Sequence, residues 1–355
     1  MLSFGLMPDT GPKIGEWAAF AEERGFRYFW ILDSPVNWRE MSPYLTLAVT
    51  STRDTIIGAC VSNPVTRNIA VNASLHATLQ ELSGGRIVLG LGKGDSAVRR
   101  LGERPAKLRE LKERAPVMQA LASGEMIEYT PETPADESWH AQGAGDQTLE
   151  LPWAPKQHMP LYIAGYGPKV LHWSGQAADG IFMQIAEPET IEWALGHLRA
   201  GAETVGRDVG DIEVVVCTPS IIDDDLSAAC DVARGFPAFV SNHVTDMLRY
   251  YDPAELPANL LRCVEQKSTY DYRHHTESDT DHAAAIPDDV VDSFTIVGSV
   301  ERCAAKLQRL AELGVTQLCI YFMGIAEEDM KSTIRLYADE VIPAVRSKTG
   351  SAAGA

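Results

Sequence analysis

Short apolar runs alternate with amphipathic stretches along most of the chain, and that rhythm restricts the fold more than any other feature. A short apolar run bounded by turn residues reads as a strand buried on both faces, which requires helices packed over the sheet. Runs of this kind occupy residues 2–7, 26–32, 55–61, 86–91, 161–164, 180–184, 212–217 and 317–322. Between them, Ile14, Trp17, Ala18 and Ala21 keep the i, i+3, i+4, i+7 spacing of one helix face, and Gly25 stops that helix. Val71, Leu75, Thr78, Leu79 and Leu82 predict a second helix, ended by Ser83-Gly84-Gly85. A third is charged and covers 105–122, a fourth covers 170–178, and the last includes 330–345.

Strands alternating with helices define the α/β class, and eight of them favour a closed (β/α)8 TIM barrel over a doubly wound sheet. The order Glu23-Arg24-Gly25-Phe26 before one strand is echoed by Glu312-Leu313-Gly314-Val315 before another. In each, glycine supplies the left-handed helix stop at no steric cost. The rhythm lapses twice, at 123–158 and at 225–295, which predicts insertions after strands four and seven of a single barrel domain spanning 1–355. Residues 347–355 predict a frayed tail.

Charge and cysteine usage narrow the function. The formal net charge is −18, from 49 acidic and 31 basic residues. That excess disfavours binding to nucleic acid or anionic membranes, which needs clustered Lys and Arg. No apolar run approaches the roughly 20 residues of a bilayer span, and the opening residues lack the basic region of a signal peptide. Six cysteines lie far apart without a C-x-x-C pair, which predicts buried free thiols in a reducing cytoplasm. A small-molecule substrate is the partner these features leave.

In a TIM barrel the chemistry sits where strands end at their carboxyl side. Asp33-Ser34-Pro35-Val36-Asn37-Trp38 follows strand two, and Ser62-Asn63-Pro64-Val65-Thr66-Arg67 follows strand three. Gly92-Lys93-Gly94-Asp95-Ser96 follows strand four, Gly165-Tyr166-Gly167-Pro168-Lys169 follows strand five, and Met183 with Gln184 closes strand six. Asp95 is a candidate proton donor or acceptor and equally a helix N-cap. Asp33 carries the same pair of readings, cap or ligand. Trp38 either stacks on substrate or covers the mouth, and Arg67 reads first as a surface salt bridge. Glycines before a helix start with Lys169 nearby suit a phosphate, although a tight turn accounts for the same residues. His274, His275 and His282 with Asp279 and Asp281 lack metal-ligand spacing and read as a solvated loop, so no metal site is expected.

Taken together, Phe4-Gly5-Leu6, Trp30 to Pro35, Asn63 to Arg67, Leu82 to Arg86, Leu89 to Ser96, Gly167-Pro168, Ala178-Asp179-Gly180 and Phe294 to Ser299 resemble the luciferase-like monooxygenase superfamily. The resemblance is strongest to its branch of methylenetetrahydromethanopterin reductases and deazaflavin-dependent glucose-6-phosphate dehydrogenases. It covers about residues 2–218 and 290–345. It implies a barrel that binds coenzyme F420 or FMN with the ring against the backbone of strand three. The non-proline cis peptide of the family falls on Cys60-Val61. Its cofactor-contacting Asp falls on Asp33, the aromatic residue five later on Trp38, the acidic residue after strand four on Asp95, and the phosphate loop on Gly165, Gly167 and Pro168. Asn63, Gly94, Met183 and Gln184 complete the expected cofactor contacts, and Asp95, Asp33 and Trp38 the expected catalytic set. One departure stands out: the sugar-phosphate dehydrogenases carry a His base after the strand-two Asp, where this chain has Ser34, and a hydroxyl cannot take a proton near pH 7 as imidazole does. Three functions fit: hydride transfer between coenzyme F420 and a small organic substrate, an FMN-dependent monooxygenase using O2, and a non-catalytic flavin-binding barrel. Relatives of this kind are usually homodimers, for which the face bearing Val71, Leu75 and Leu79 is suited, although core packing explains those residues equally.

Overall fold

Strand residues in this chain are buried almost without exception, as parallel strands under helices must be. They form β1 (Ser3–Pro8), β2 (Tyr28–Ile31), β3 (Ile56–Ala59), β4 (Ile87–Leu91), β5 (Leu161–Ala164), β6 (Gly180–Met183), β7 (Glu213–Thr218) and β8 (Gln317–Phe322). The computed structural model describes residues 1–129, 148–265, 270–274, 280–322 and 325–349. All neighbours run parallel, and the ring closes in the order β1-β8-β7-β6-β5-β4-β3-β2. β1 makes the closure, pairing Ser3 with Gln317 on one side and Gly5 with Tyr28 on the other. The expected (β/α)8 barrel is therefore the observed one.

Its interior is filled by aromatic side chains rather than left as a pore. The ring of Trp30 stacks on Tyr28 at 5.8 Å, while Phe182 meets it edge-on at 4.9 Å. Space for these rings comes from inward glycines. At Gly90 a Cβ would lie 1.9 Å from the backbone oxygen of Ala59, so only glycine lets β4 lie this close to β3. The plug closes the lower barrel and forces any cavity to the carboxyl ends of the strands.

Helices α1 (Ile14–Glu22), α2 (Met41–Ser51) and α3 (Ile69–Ser83) pack over the first strands. The first buries the predicted stripe, and Gly25 and Gly314 adopt the left-handed φ of +80° and +115° that their helix stops require. α3 differs from expectation. It buries Asn72, Ala73, His76, Ala77, Leu79, Gln80 and Ser83, while Val71 and Leu82 stay exposed. The inward face works by hydrogen bonding: Gln80 Oε1 accepts from the Ile87 N–H, and Asn72 donates to Ser62. Apolar periodicity alone therefore located the helix and its buried Leu79 but not the polar side chains that make up much of the buried face.

A one-turn α4 (Ser96–Arg99) and then α5 (Leu108–Ala122) follow β4, and α6 (Pro168–Ala177) and α7 (Pro188–Glu203) follow β5 and β6. In the first lapse of rhythm, Ile127–Glu128 pairs antiparallel with Thr148–Leu149, and 130–147 lie outside the described residues. The second lapse, read as irregular with helices and a polar segment, carries α8 (Leu226–Ala233), α9 (Gly235–Met247), α10 (Ala258–Glu265), α11 (Asp281–Ala284) and α12 (Asp288–Phe294) among its described residues. Flanking it, Ser220–Ile222 pairs in parallel with Ile296–Gly298. The final helical stretch runs from Glu327 to Thr349 with a π turn at Tyr337–Val341. No helix among the described residues is long and apolar enough to cross a membrane.

Candidate active site

The carboxyl ends of the strands open into a cavity of about 890 Å³, at the upper end of the range for small-molecule sites. Its wall includes Asp33, Trp38, Cys60, Val61, Asn63, Gly94, Asp95, Gly165, Gly167 and Gln184, so residues from five successive strand exits converge as expected. Met183 is a correction. Side chains alternate along a strand, so Phe182 and Gln184 face the cavity while Met183 is buried in the core beneath the helices. Pro168 begins α6 and is not part of the wall either. The peptide bond between Cys60 and Val61, where the chain leaves β3, is cis.

Asp33 is neither a helix cap nor simply exposed to a ligand. Its side chain is 1% exposed, and Oδ2 accepts from Ser62 Oγ at 2.6 Å and from the Arg67 guanidinium. Arg67 in turn is bidentate to Glu40, at 2.8 and 2.9 Å. With its side chain 14% exposed, it is a partly buried clamp that holds Asp33 inward and pairs with half-exposed Glu40 outward, more than the surface salt bridge favoured for it. The other carboxylate oxygen, Oδ1, is buried without a hydrogen-bond partner among the described residues. A buried acceptor left open beside a cavity is what a ligand N–H or O–H would complete.

Asp95 precedes α4 but makes no side-chain cap, so its capping reading fails. Instead, Oδ1 accepts from Arg99 Nε at 2.6 Å, and the Tyr272 hydroxyl donates to Oδ1 and Oδ2 at 3.0 and 3.2 Å. Burial, then the Asp95 charge, push the Tyr272 phenol far above its ordinary pKa, so it remains a donor. Arg99 also reaches Asp246 at 2.6 Å, where Lys93 Nζ binds at 2.9 Å. Burial opposes ionisation of Asp246, yet Lys93 and Arg99 hold it below the usual carboxylate range. Lys93 and Arg99 line the cavity, whereas the neighbouring Arg100 does not. In a chain of net charge −18, the wall carries six basic against four acidic side chains.

Sequence reasoning missed the residues that α9 supplies. Phe239, His243, Asp246 and Met247 sit three to four apart and face the cavity, so two polar residues on an apolar helical stripe were the available signal. His243 stacks on Tyr166 at 5.3 Å and meets Phe239 edge-on at 5.2 Å. Burial keeps its pKa below the ordinary imidazole value, so it is neutral. Tyr272 and Tyr251 were missed as well. Tyr251 narrows the expected anion seat, because its hydroxyl takes the Lys169 N–H at 3.2 Å while Lys169 Nζ sits 5.8 Å from its ring. Ser34 shares a hydrogen bond of 2.8 Å with Ser96. Among the five residues of the His/Asp loop, His275 and Asp279 lie outside the described residues.

A flat cofactor ring fits these walls. The open Oδ1 of Asp33 offers an acceptor, and Gly92 keeps a corner clear, since a Cβ there would come within 3.0 Å of Val61. Fold and site together define a TIM-barrel oxidoreductase that works at its strand exits. More particularly, the chain belongs to the luciferase-like monooxygenase family, whose sequence profile matches residues 5–317. It is similar to 5,10-methylenetetrahydromethanopterin reductase of Methanolobus tindarius, 30% identical over 89% of this chain and 93% of that one. It is also similar to the F420-dependent glucose-6-phosphate dehydrogenase of Kineococcus radiotolerans, 27% identical over 94% and 93% of the two chains. Among solved structures, the coenzyme F420 dependent tetrahydromethanopterin reductase of Methanopyrus kandleri superposes with a TM-score of 0.74 at 25% identity, covering 97% of this chain and 99% of that one.

Proposed function

We propose that this chain transfers a hydride between coenzyme F420 and a small organic substrate, with Asp95 handling the accompanying proton. The observation that carries the reading is the pairing, across one cavity, of an open buried Asp33 oxygen with an Asp95 carboxylate clamped by Tyr272 and Arg99. Relatives named as F420-dependent enzymes support it.

In this reading Asp33, the Cys60-Val61 backbone, Asn63 and Gly94 hold the ring, and Gly165, Gly167 and Lys169 hold the phosphate. When bound, coenzyme F420 supplies the carbon that gives or takes the hydride. Asp33 accepts a hydrogen bond through Oδ1 and is kept from turning by Ser62 and Arg67. Asp95 meets the substrate atom that gains or loses a proton, and Tyr272 and Arg99 stabilise its charge while it does so. Ser34 is tied to Ser96 and takes no part as a base, which argues against sugar-phosphate alcohol oxidation. Trp38 and the α9 aromatics keep water from the reacting carbon.

Asp95→Asn is expected to lower turnover by roughly 10²-fold or more, the usual worth of a positioned acid or base. Cofactor affinity, read from the absorbance change on titration, should stay nearly constant. An unchanged rate would remove Asp95 from the mechanism. The family to which the chain belongs favours a second reading, an FMN-dependent monooxygenase; parallel titrations with reduced coenzyme F420 and reduced FMN separate the two. A homodimer through exposed Val71 and Leu82 and residence in the reducing cytoplasm accord with the same reading; sedimentation would test the first.

A further inference from the structure

At the cavity floor three cysteines meet whose thiols the proposed chemistry does not use. Cys217 on β7 and Cys319 on β8 are directly opposed in the parallel ladder, and their sulfurs are 3.6 Å apart. Both are fully buried inside the barrel, among the inward residues Val215 and Tyr321. Cys60, at the exit of β3, is partly exposed, and it lines the cavity together with Cys217. All six thiols of the chain are free.

We infer that Cys217 and Cys319 form a redox-active dithiol which small hydroperoxides reach through the cavity and convert to a cross-strand disulfide. The geometry allows it with little motion. Neighbouring strands lie about 4.8 Å apart, within the Cα separation a disulfide spans, and the sulfurs need to close by less than one bond-and-a-half length. Buried thiols are ordinarily inert because nothing ionises them. Here contact with the neighbouring Cys319 and Cys60 thiols favours ionisation of Cys217 against the effect of burial, while burial pushes Cys60 and Cys319 up. Cys217, whose sulfur lies 3.6 Å from that of Cys319 and which lines the cavity, is therefore the attacking thiol of the pair and Cys319 the resolving one.

The chemistry balances without any group outside the cluster and the oxidant. The Cys217 thiolate attacks the hydroperoxide, whose O–O bond breaks; sulfur keeps the hydroxyl as a sulfenic acid, and the departing alkoxide or hydroxide takes a proton from solvent. Cys319 then attacks the Cys217 sulfur, losing its proton as water leaves. Two electrons pass from the two thiols to the peroxide. A dithiol reductant reverses the step by exchange. A bond between Cys217 near the carboxyl end of β7 and Cys319 midway along β8 would alter the floor on which the substrate rests, and the proposal stands whichever cofactor the cavity holds.

The test is a thiol inventory of the purified full-length protein. It is treated with equimolar hydrogen peroxide, its remaining thiols are alkylated under denaturing conditions, and the digest is mapped. Expected are a loss of the mass of two hydrogens, a linked peptide pair containing Cys217 and Cys319, and full reversal by dithiothreitol. Cys319→Ser should leave a sulfenic acid on Cys217 that dimedone traps, and Cys217→Ser should abolish both products. The proposal is overturned if all six thiols remain alkylatable, or if peroxide first modifies Cys230, Cys263 or Cys303. The wild-type map alone decides the matter should either variant fail to fold.

Discussion

Removing Arg67 should destabilise the protein more than its position in a loop suggests, because Asp33 depends on it. Asp33 is 1% exposed and has two protein donors, the Ser62 hydroxyl and the Arg67 guanidinium. Arg67→Met keeps most of the stem's volume and leaves a buried carboxylate with one neutral donor. Breaking a buried pair in this way costs about 3–5 kcal/mol. The lower figure applies, since Asp33 borders the cavity and water can partly replace the guanidinium. Loss of the Glu40 contact adds little, as that carboxylate is 53% exposed. Adding Asp33→Asn removes the charge that had become unpaired, so the double variant should lie only about 1 kcal/mol below wild type, the worth of the lost hydrogen bonds. The coupling, the double-variant cost less both single costs, is then at least about 2 kcal/mol in magnitude and larger by whatever Asp33→Asn costs alone, which urea unfolding of the four proteins measures. A single-variant cost under about 1 kcal/mol, or additive effects, would refute the claim that Arg67 exists to hold Asp33.

Two other expectations follow from local geometry. Glu22 accepts from the N–H groups of Arg53, Asp54 and Thr55 and from the Thr55 hydroxyl, and against burial these bonds lower its pKa from 4.5 to about 2. A folded pKa below the unfolded one means stability that is present above pH 4.5 and lost as pH falls toward 2; after discounting for solvent screening, Glu22→Gln should cost about 1–2 kcal/mol at pH 7 and almost nothing near the acid limit, and urea melts showing a pH-independent difference would contradict this. Tyr272→Phe deletes the phenolic donor to Asp95 while keeping the ring, so turnover should fall by roughly tenfold with thermal stability nearly unchanged, as expected from one charged hydrogen bond lost; equal rates for both proteins would show that Asp95 does not need that donor.

The barrel was legible because strand burial is a local property. Each β-run carries its own apolar signature, and the ends of the observed strands fall within two residues of the expected ones. α3 was misread because polar side chains satisfy the backbone and loops beneath it, so its buried face is not its most apolar one. Met183 was misplaced by ignoring the two-residue alternation that sends Phe182 and Gln184 to one side. Asp33 and Asp95 were found from strand position, but their partners were not. Tyr272 stands 177 residues from Asp95 in sequence, and no local pattern links the two.

The lapse in rhythm at 225–295 then acquires a meaning. Barrel strands can only deliver residues at their own exits, and in the proposed mechanism the exits of β2 to β5 hold the ring, the phosphate and the proton. What remains for distinguishing one substrate from another is whatever covers the mouth. Here that cover comes from α9 and the Tyr272 segment, tied to the β4 exit through the chain Lys93–Asp246–Arg99–Asp95–Tyr272. These ion pairs and the Tyr272 hydrogen bond link the cover to Asp95, so a change in α9 also shifts that carboxylate. In the proposed mechanism substrate choice and proton handling are therefore coupled, and exchanging α9 for a relative's helix should move the pH dependence of turnover together with specificity.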